Sequence, residues 1–302
     1  MVAITSPANP RVAALRALHT PKGRAEAQAF LVEGPHLLDA TLDAGVTPSL
    51  VLYDPEALAR TPAGRRLLGR LEAAREEGAE ALEATAAVVA RASDTQTPQG
   101  IVASVPLDAV APDRVRVRRR GRARPLVLVL DALADPGNVG TLLRSALASD
   151  VDEVWLSPGC TDPLAPKVVR AASGAHFHLP VRPSLSWDDI ARRLQGAPHF
   201  QHVLLAEASG PLAYDALDLT QRTALIVGNE AHGPSREAAR LATTRVSIPM
   251  WNKVESLNAA IAASVILFEA GRQRRTHEQQ HQISAMTERV DSENAQGGEA
   301  SD

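Results

Sequence analysis

The sequence lacks the features that define several large classes of protein. Its one cysteine, Cys160, excludes an intrachain disulfide and a cysteine-based metal cluster. Apolar runs are short, and the longest, from Ala259 to Phe268, cannot cross a bilayer. The N-terminus has no basic stretch followed by an apolar core, as a secretion signal would. We therefore expect a cytoplasmic protein that binds no metal.

The chain also lacks an overall excess of positive charge, which by itself argues against binding nucleic acid. The acidic groups are concentrated, however, since residues 276–302 hold six of them and one arginine. The other 275 residues are mildly basic, with 31 basic and 29 acidic side chains. Seven arginines lie between Arg114 and Arg124. Such a cluster is typical both of an arm that contacts RNA phosphates and of a solvated loop.

Apolar spacing in the first third of the chain predicts a small α/β domain over residues 1–106. The predicted elements are a helix from Pro10 to Leu18, a helix from Leu37 to Ala44, a strand from Ser49 to Tyr53, a helix from Thr61 to Glu77, and a strand from Ile101 to Val105. The arginine-rich residues 107–124 then have the composition of a linker.

A second α/β domain is predicted over residues 125–275. It starts with a continuous apolar run over 125–131, the pattern of a parallel strand covered on both faces. Further strands are predicted at 152–157, 176–181, 202–206, 223–228 and 244–248. Segments of helix length separate them, which indicates a parallel sheet with helices on both sides. A last helix from Ser256 to Arg272 precedes a polar tail, 276–302, that we expect to be disordered.

Three segments of this second domain place polar residues where strands end. In Asp135 to Arg144, Gly137 and Gly140 are expected to allow a turn from strand to helix. This segment matches neither the dinucleotide nor the ATP phosphate-loop pattern. Leu225 to Ser235 breaks a strand at a glycine, and Ile248 to Asn258 leads into the last helix. Since open α/β sheets bind ligands at the carboxyl ends of their strands, these segments predict a site.

The same segments resemble the three motifs of the SpoU/TrmH family of SPOUT RNA methyltransferases. The matching residues are N-x-G-x-x-x-R from Asn138 to Arg144, G-x-E-x-x-G from Gly228 to Gly233, and I-P-M at Ile248 followed by E-S-L-N from Glu255 to Asn258. Residues 162–174 are similar to the family segment between the first two motifs. The segments Asn9-Pro-Arg-Val, Phe-Leu-Val-Glu-Gly34 and Thr97-Pro-Gln-Gly100 resemble the family's ribosomal-protein-like substrate-binding domain. The resemblance covers about residues 5 to 272.

This resemblance implies a C-terminal domain tied in a trefoil knot, which periodicity alone cannot predict. It also implies a homodimer that uses S-adenosyl-L-methionine to methylate a ribose 2′-hydroxyl of RNA, and the N-terminal domain favours ribosomal RNA. The residues that match the family's cofactor-binding positions are Gly228, Ile248, Met250 and Leu257. Those that match its catalytic positions are Arg144, Asn138, Glu230, Ser256 and Asn258.

Each of these residues also has a plainer interpretation. The family assigns the arginine at position 144 to activation of the hydroxyl, but a guanidinium stays protonated and is better suited to stabilising the developing alkoxide. Asn138, Ser256 and Asn258 are alternatively helix caps, and Glu230 is alternatively a surface carboxylate. His176 and His178 would share one face of a strand, yet no third ligand accompanies them, so they are predicted to be structural.

Other functions remain open at this point. A tRNA ribose methyltransferase and a resistance enzyme that methylates ribosomal RNA would share the same motifs. An RNA-binding assembly factor that has lost catalysis would keep the fold, although the intact catalytic positions argue against it. A Rossmann-type methyltransferase is disfavoured because no glycine-rich loop follows the first strand.

Overall fold

The computed structural model describes residues 3–115, 123–196, 199–229, 233–252 and 254–297, with side chains up to residue 282. The helices are α1 Pro10–Ala17, α2 Pro21–Ala27, α3 Pro35–Asp43, α4 Pro55–Ala59, α5 Pro62–Glu76, α6 Ala86–Ala92, α7 Pro136–Ala148, α8 Pro166–Ala172, α9 Trp187–Gln195, α10 Arg236–Leu241 and α11 Ala259–Gly297. The strands are β1 Ala29–Glu33, β2 Leu50–Tyr53, β3 Glu80–Glu83, β4 Ile101–Pro106, β5 Leu126–Leu130, β6 Glu153–Leu156, β7 Val181–Arg182, β8 His202–Ala206, β9 Leu212–Ala213, β10 Thr223–Val227 and β11 Thr244–Ser247.

The N-terminal domain is an α/β unit, as the apolar spacing predicts. Its sheet has the order β1-β4-β2-β3, in which β4 runs antiparallel to both neighbours and β3 is parallel to β2. Buried residues of α3 and α5 cover one face, and those of α1 and α6 cover the other. The strands β1 and β3 and the helices α2, α4 and α6 are additions that the sequence pattern did not predict.

The C-terminal domain contains a parallel sheet, which confirms the predicted fold class. Its order is β7-β6-β5-β10-β8-β11-β9, and every pair of neighbours is parallel. The strands β5 and β10 are buried at every residue because helices cover both faces of the sheet. β10 lies between β5 and β8, so strands distant in sequence end side by side.

The strand predicted over 176–181 is wrong in most of its length. A 3-10 helix occupies Ala175–Phe177, and β7 begins at Val181. Ser173 and Gly174 both have positive φ, +49° and +89°, and this turn prevents an extended strand from starting there. His176 is consequently buried whereas His178 is exposed, so the two imidazoles do not share a face.

The tail predicted to be disordered is helical over residues 276–297, where α11 continues through Gly297, and residues 298–302 lie outside the described residues. Residues 276–296 contain no proline or glycine and many Glu, Gln and Ala, which favour a helix. The helix begins at Ala259 rather than at Ser256 because Asn258 caps it: Asn258 Oδ1 accepts hydrogen bonds from the amides of Ala260 and Ile261, at 2.9 and 3.2 Å.

The predicted linker is partly ordered. Leu107–Val110 form a 3-10 helix, and Val115 is buried. Arg118 to Arg120 lie outside the described residues, so the two interpretations of the arginine cluster both stand. Within the described ranges, no helix is long and apolar enough to cross a membrane.

The two domains share part of one core. Val169 of α8 and Phe177 pack among the buried side chains of the N-terminal sheet. Arg24, with 4% of its side chain exposed, forms an ion pair with Asp162 across this junction. Such a junction, apolar and crossed by a buried charge, fixes the two domains relative to each other.

Candidate functional site

A cleft of about 620 Å³ opens at the carboxyl ends of β8, β10 and β11. Its lining includes all four residues predicted to bind the cofactor and two of those predicted to be catalytic: Gly228, Ile248, Met250, Leu257, Ser256 and Asn258. The second and third motifs therefore form opposite parts of one site. This is the edge of an open α/β sheet at which ligands bind.

The second motif builds one wall from backbone. A Cβ atom on Gly228 would lie 2.9 Å from the Cα of Pro234, so a larger residue cannot fit without moving the loop. The loop is closed by a hydrogen bond from the amide of Gly233 to the carbonyl of Asn229, at 2.9 Å. Both Asn229 and Pro234 line the cleft. The wall thus depends on a close contact that only glycine permits.

This loop is anchored to the end of the neighbouring strand β5. The buried carboxylate of Asp131 accepts a hydrogen bond from the amide of Ser235, at 2.6 Å. The side-chain amide of Asn229 donates to the carbonyl of Ala132, at 2.8 Å. Two independent contacts therefore fix the loop at both of its ends, and they hold it in place before any ligand arrives.

The first and third motifs meet directly. Asn258 Nδ2 donates a hydrogen bond to Asn138 Oδ1, at 3.1 Å. Asn138 does not cap its own helix, because Asp135 accepts the bond from the Asn138 amide, at 2.7 Å. Asn258 does cap α11, so its plainer interpretation is correct and is compatible with the pairing. Because Asn258 caps α11, Ser256 does not, and Ser256 instead lines the cleft.

Arg144 and Gly140 lie one turn apart on the same helix, α7, and differ in burial. Arg144 is exposed and does not line the cleft. Gly140 is buried inside the helix, where a Cβ atom would lie 2.4 Å from the Cβ of Ala171 on α8. Its expected role in the strand-to-helix turn is therefore wrong: it allows two helices to pack closely. Glu230 lies outside the described residues.

A third wall, which none of the sequence motifs marks, is formed by the residues that follow β8. Ala206 to Ser209 line the cleft, and Glu207 Oε2 accepts an ion-pair contact from Arg245 at 3.1 Å. A signal for this wall exists in the sequence, because the segment follows a predicted strand just as the motifs do. Apolar side chains of Ile248 and Ile266 and the polar edge at Glu207 together suit a ligand with an aromatic ring and a charged, hydrogen-bonding end.

Comparison with known proteins assigns the chain to a family. The profile of the SpoU rRNA Methylase family matches residues 125–268, and that of an MRM3-like substrate binding domain matches residues 9–103. A Synechocystis protein named as an uncharacterized tRNA/rRNA methyltransferase is 35% identical over 91% of this chain and 95% of its own length. The chain belongs to the SpoU rRNA methylase family. It is therefore an S-adenosylmethionine-dependent RNA methyltransferase.

Relatives within the SpoU family extend over both domains. A Bacillus subtilis protein named 23S rRNA (guanosine(2553)-2′-O)-methyltransferase RlmP is 29% identical, over 89% of this chain and 98% of its own. The AdoMet-bound structure of an rRNA methyltransferase from Sinorhizobium meliloti superposes with a TM-score of 0.74 at 29% identity, covering 90% of this chain and 97% of that one. The SpoU-family resemblance and the cofactor expectation are thus confirmed.

Proposed function

We propose that this enzyme methylates one ribose 2′-hydroxyl of ribosomal RNA. The observation that carries the proposal is the meeting of all three motif segments at one sheet edge, where Asn258 bonds to Asn138 beside the cleft. Bound S-adenosylmethionine would supply an electrophilic methyl group; the ribose oxygen would take that methyl, the thioether would be the leaving group, and the hydroxyl proton would pass to water. The relative named for a guanosine 2′-O-methylation supports ribose over base as the target.

The cleft residues fit the cofactor. In the proposal, the backbone of Gly228 and of the Ile248 to Met250 turn holds the nucleoside, and the apolar side chain of Leu257 covers it. This recognition by backbone explains why the wall tolerates no side chain at Gly228. We also propose that the chain is knotted here, as the family resemblance implies, and the insertion of β10 between β5 and β8 is compatible with a knot.

The exposed guanidinium of Arg144 is proposed to face the RNA. Among the described residues it has no hydrogen-bond or ion-pair partner, so its five donors are available to a phosphate or to the developing alkoxide. Asn138 is held by Asn258, and we assign it to orienting the ribose. Glu230 follows Gly228 by two positions, and we keep for it the role of ordering Arg144 or the ribose.

A homodimer is the proposed working form. Ile261 and Phe268 of α11, with Trp251 and Val254 of the preceding loop, are exposed at 54%, 47%, 85% and 50%. The two helix residues lie seven positions apart, on one stripe, next to the cleft. Burying this stripe against a second copy would cover it. Light scattering should give twice the chain mass, and Ile261→Glu should shift the mass toward that of the monomer.

The target is tested by mapping. Unmethylated ribosomal RNA and a tRNA pool are incubated with the enzyme and S-adenosylmethionine, and 2′-O-methyl positions are then mapped at nucleotide resolution. We expect one new 2′-O-methyl position in ribosomal RNA. The same position should be methylated in the cytoplasm of the cell. New positions confined to tRNA would replace ribosomal RNA as the substrate. No new methyl group, with cofactor bound, would favour an assembly factor.

A further inference from the structure

A second cleft, of about 270 Å³, lies where the two domains meet. Three sequence segments that the cofactor site does not use come together there. They contribute Glu33 and Gly34 from the first segment, Thr97 and Gln99 from the second, and Arg170 and Ser173 from α8 and the turn after it. Because each domain supplies part of the lining, the cleft exists only in the assembled two-domain enzyme.

The floor of this junction cleft holds a buried carboxylate. The side chain of Glu33 is 3% exposed, and its Oε2 accepts hydrogen bonds from the amide of Asp94 at 3.2 Å and from Arg170 Nη1 at 3.3 Å. The other oxygen, Oε1, is buried and has no hydrogen-bond partner among the described residues. An unsatisfied buried acceptor destabilises the folded protein, so a ligand that donates a hydrogen bond there recovers free energy.

The charges of the cleft select against a phosphate. Arg170 is already engaged, since it also donates to Asp94 at 2.9 Å. With two carboxylates around one guanidinium, the floor has no surplus positive charge for an anion. The rim carries no carboxylate or guanidinium and is hydrogen-bonding, with the exposed side chains of His36, Thr97, Gln99 and Ser173. The chemistry therefore suits an uncharged group that has N–H donors.

Because Gly34 has no side chain, the floor of the junction cleft stays open to a flat ligand. Gly34 has a φ of +94°, and a Cβ atom there would lie 3.0 Å from Gln99 Oε1. A side chain at this position would be strained and would fill the cleft. Leu37 supplies an apolar contact beside it. A planar ring with a polar edge matches this combination of apolar wall and hydrogen-bonding floor.

We propose that the junction cleft binds one unstacked base of the RNA substrate, whose exocyclic amino group donates to Glu33. The inference rests on the proposed function, which supplies the RNA. Proteins that read RNA sequence recognise splayed, single-stranded bases by hydrogen bonds to their edges. Adenine, cytosine and guanine carry an amino group, whereas uracil presents a carbonyl at the position of the cytosine amine. The cleft thus disfavours uridine, whose N3–H donor is flanked by two carbonyl oxygens that the carboxylate of Glu33 repels.

The test compares two single-stranded RNAs of equal length and charge, dodecamers of cytidylate and of uridylate, by fluorescence anisotropy with the full chain. The wild-type enzyme should bind oligocytidylate about tenfold more tightly, the discrimination typical of one good base contact. Glu33→Gln should abolish most of that preference. Equal affinity of the wild-type enzyme for both RNAs would overturn the proposal, whether or not any variant folds.

A rim variant provides a second measurement because Glu33 is buried and its substitution affects Arg170. Thr97→Val removes one exposed hydroxyl of the cleft and should reduce the cytidylate preference at least twofold. Thr85→Val is the matched control, since Thr85 is exposed in the same domain and, although it is the N-cap residue of α6, its hydroxyl makes no capping hydrogen bond. A preference reduced equally by both substitutions would contradict the assignment.

Cofactor titration of each variant separates this inference from the proposed function. S-adenosylmethionine affinity should be unchanged in Glu33→Gln and Thr97→Val, because the two clefts share no lining residue. A wild-type enzyme that binds the cofactor and methylates ribosomal RNA, yet treats both dodecamers alike, would remove the base subsite alone. A wild-type enzyme that methylates no RNA would instead remove the proposed function.

Discussion

The two clefts of this enzyme are built by different means. The cofactor cleft depends on backbone and small residues, and its wall at Gly228 leaves no room for another carbon atom. The junction cleft depends on charged side chains, with Glu33 held by Arg170 at 3.3 Å. The first should therefore be sensitive to added volume and the second to lost or gained charge. Substitutions that separate volume from charge test this difference.

The largest expected effect comes from a residue that belongs to neither cleft. Arg144→Ala should lower the single-turnover rate of methyl transfer on the order of a hundredfold or more, because a preorganised positive group at the reacting oxygen is lost. Cofactor affinity and the cytidylate preference should stay within a few fold. The rate is measured on the mapped RNA, alongside cofactor titration.

Arg65→Ala is the matched control, since Arg65 is an exposed helix arginine whose guanidinium bonds to a carbonyl of its own domain. A near-normal rate in Arg144→Ala would make Arg144 an ordinary surface residue and would withdraw its catalytic role.

The next largest effect tests whether the cofactor cleft is sensitive to added side-chain volume. Gly228→Ala places a Cβ atom 2.9 Å from Pro234, and moving the loop to relieve that contact costs about 1–3 kcal/mol. S-adenosylmethionine affinity should fall roughly tenfold, by calorimetry, with the cytidylate preference intact.

Gly69→Ala is the control for this substitution, since a Cβ atom at Gly69 on α5 meets nothing within 4 Å. Undiminished cofactor affinity in Gly228→Ala would show that the second motif does not form the wall of the site.

The position of the proposed cofactor cleft was predictable from sequence because the segments that line it follow predicted strands. Ligands of parallel sheets bind at strand ends, so the segments that contain Gly228 and Ile248 are candidates by position, whereas the cofactor role of these two residues comes from the resemblance to the family. The segment after β8 obeys the same rule, and Glu207 was missed because no family motif marks it. The order of the strands is a different matter: the position of β10 between β5 and β8 is set by long-range packing that periodicity does not encode.

The junction cleft was not predictable because it needs the relation between two domains. Glu33 and Arg170 are 137 positions apart, and nothing local to either indicates the contact. Gly140 gave a misleading signal for a similar reason. A glycine near a strand end suggests a turn, whereas the close packing of α7 on α8 at Ala171 is a tertiary fact.

The smallest expected effect is a pH dependence of the free energy of unfolding, caused by His176. This imidazole is fully buried beside the junction, its Nε2 lies 2.8 Å from the carbonyl oxygen of Pro163, and burial lowers its pKa from 6.5 to about 4. The next residue, Phe177, packs into the core of the N-terminal domain. A proton on His176 would therefore place an unwanted charge in the junction, far from the cofactor wall.

The direction of the pH dependence follows from the different pKa of His176 in the folded and unfolded chains. Between pH 6.5 and 4 the unfolded chain binds a proton at His176 and the folded chain does not, so the free energy of unfolding falls as the pH falls through this range. The loss should be about 1–2 kcal/mol at pH 5 relative to pH 7.

The substitution His176→Gln keeps a donor for Pro163 but does not titrate. It should show a correspondingly smaller loss in urea denaturation followed by circular dichroism. Asp189, Asp218 and Glu269, whose pKa values are lowered by hydrogen bonds, also reduce stability as the pH falls toward 4, but they do so equally in both proteins and cancel in the comparison. Identical pH profiles for the two proteins would mean that the domain junction tolerates a charge at His176.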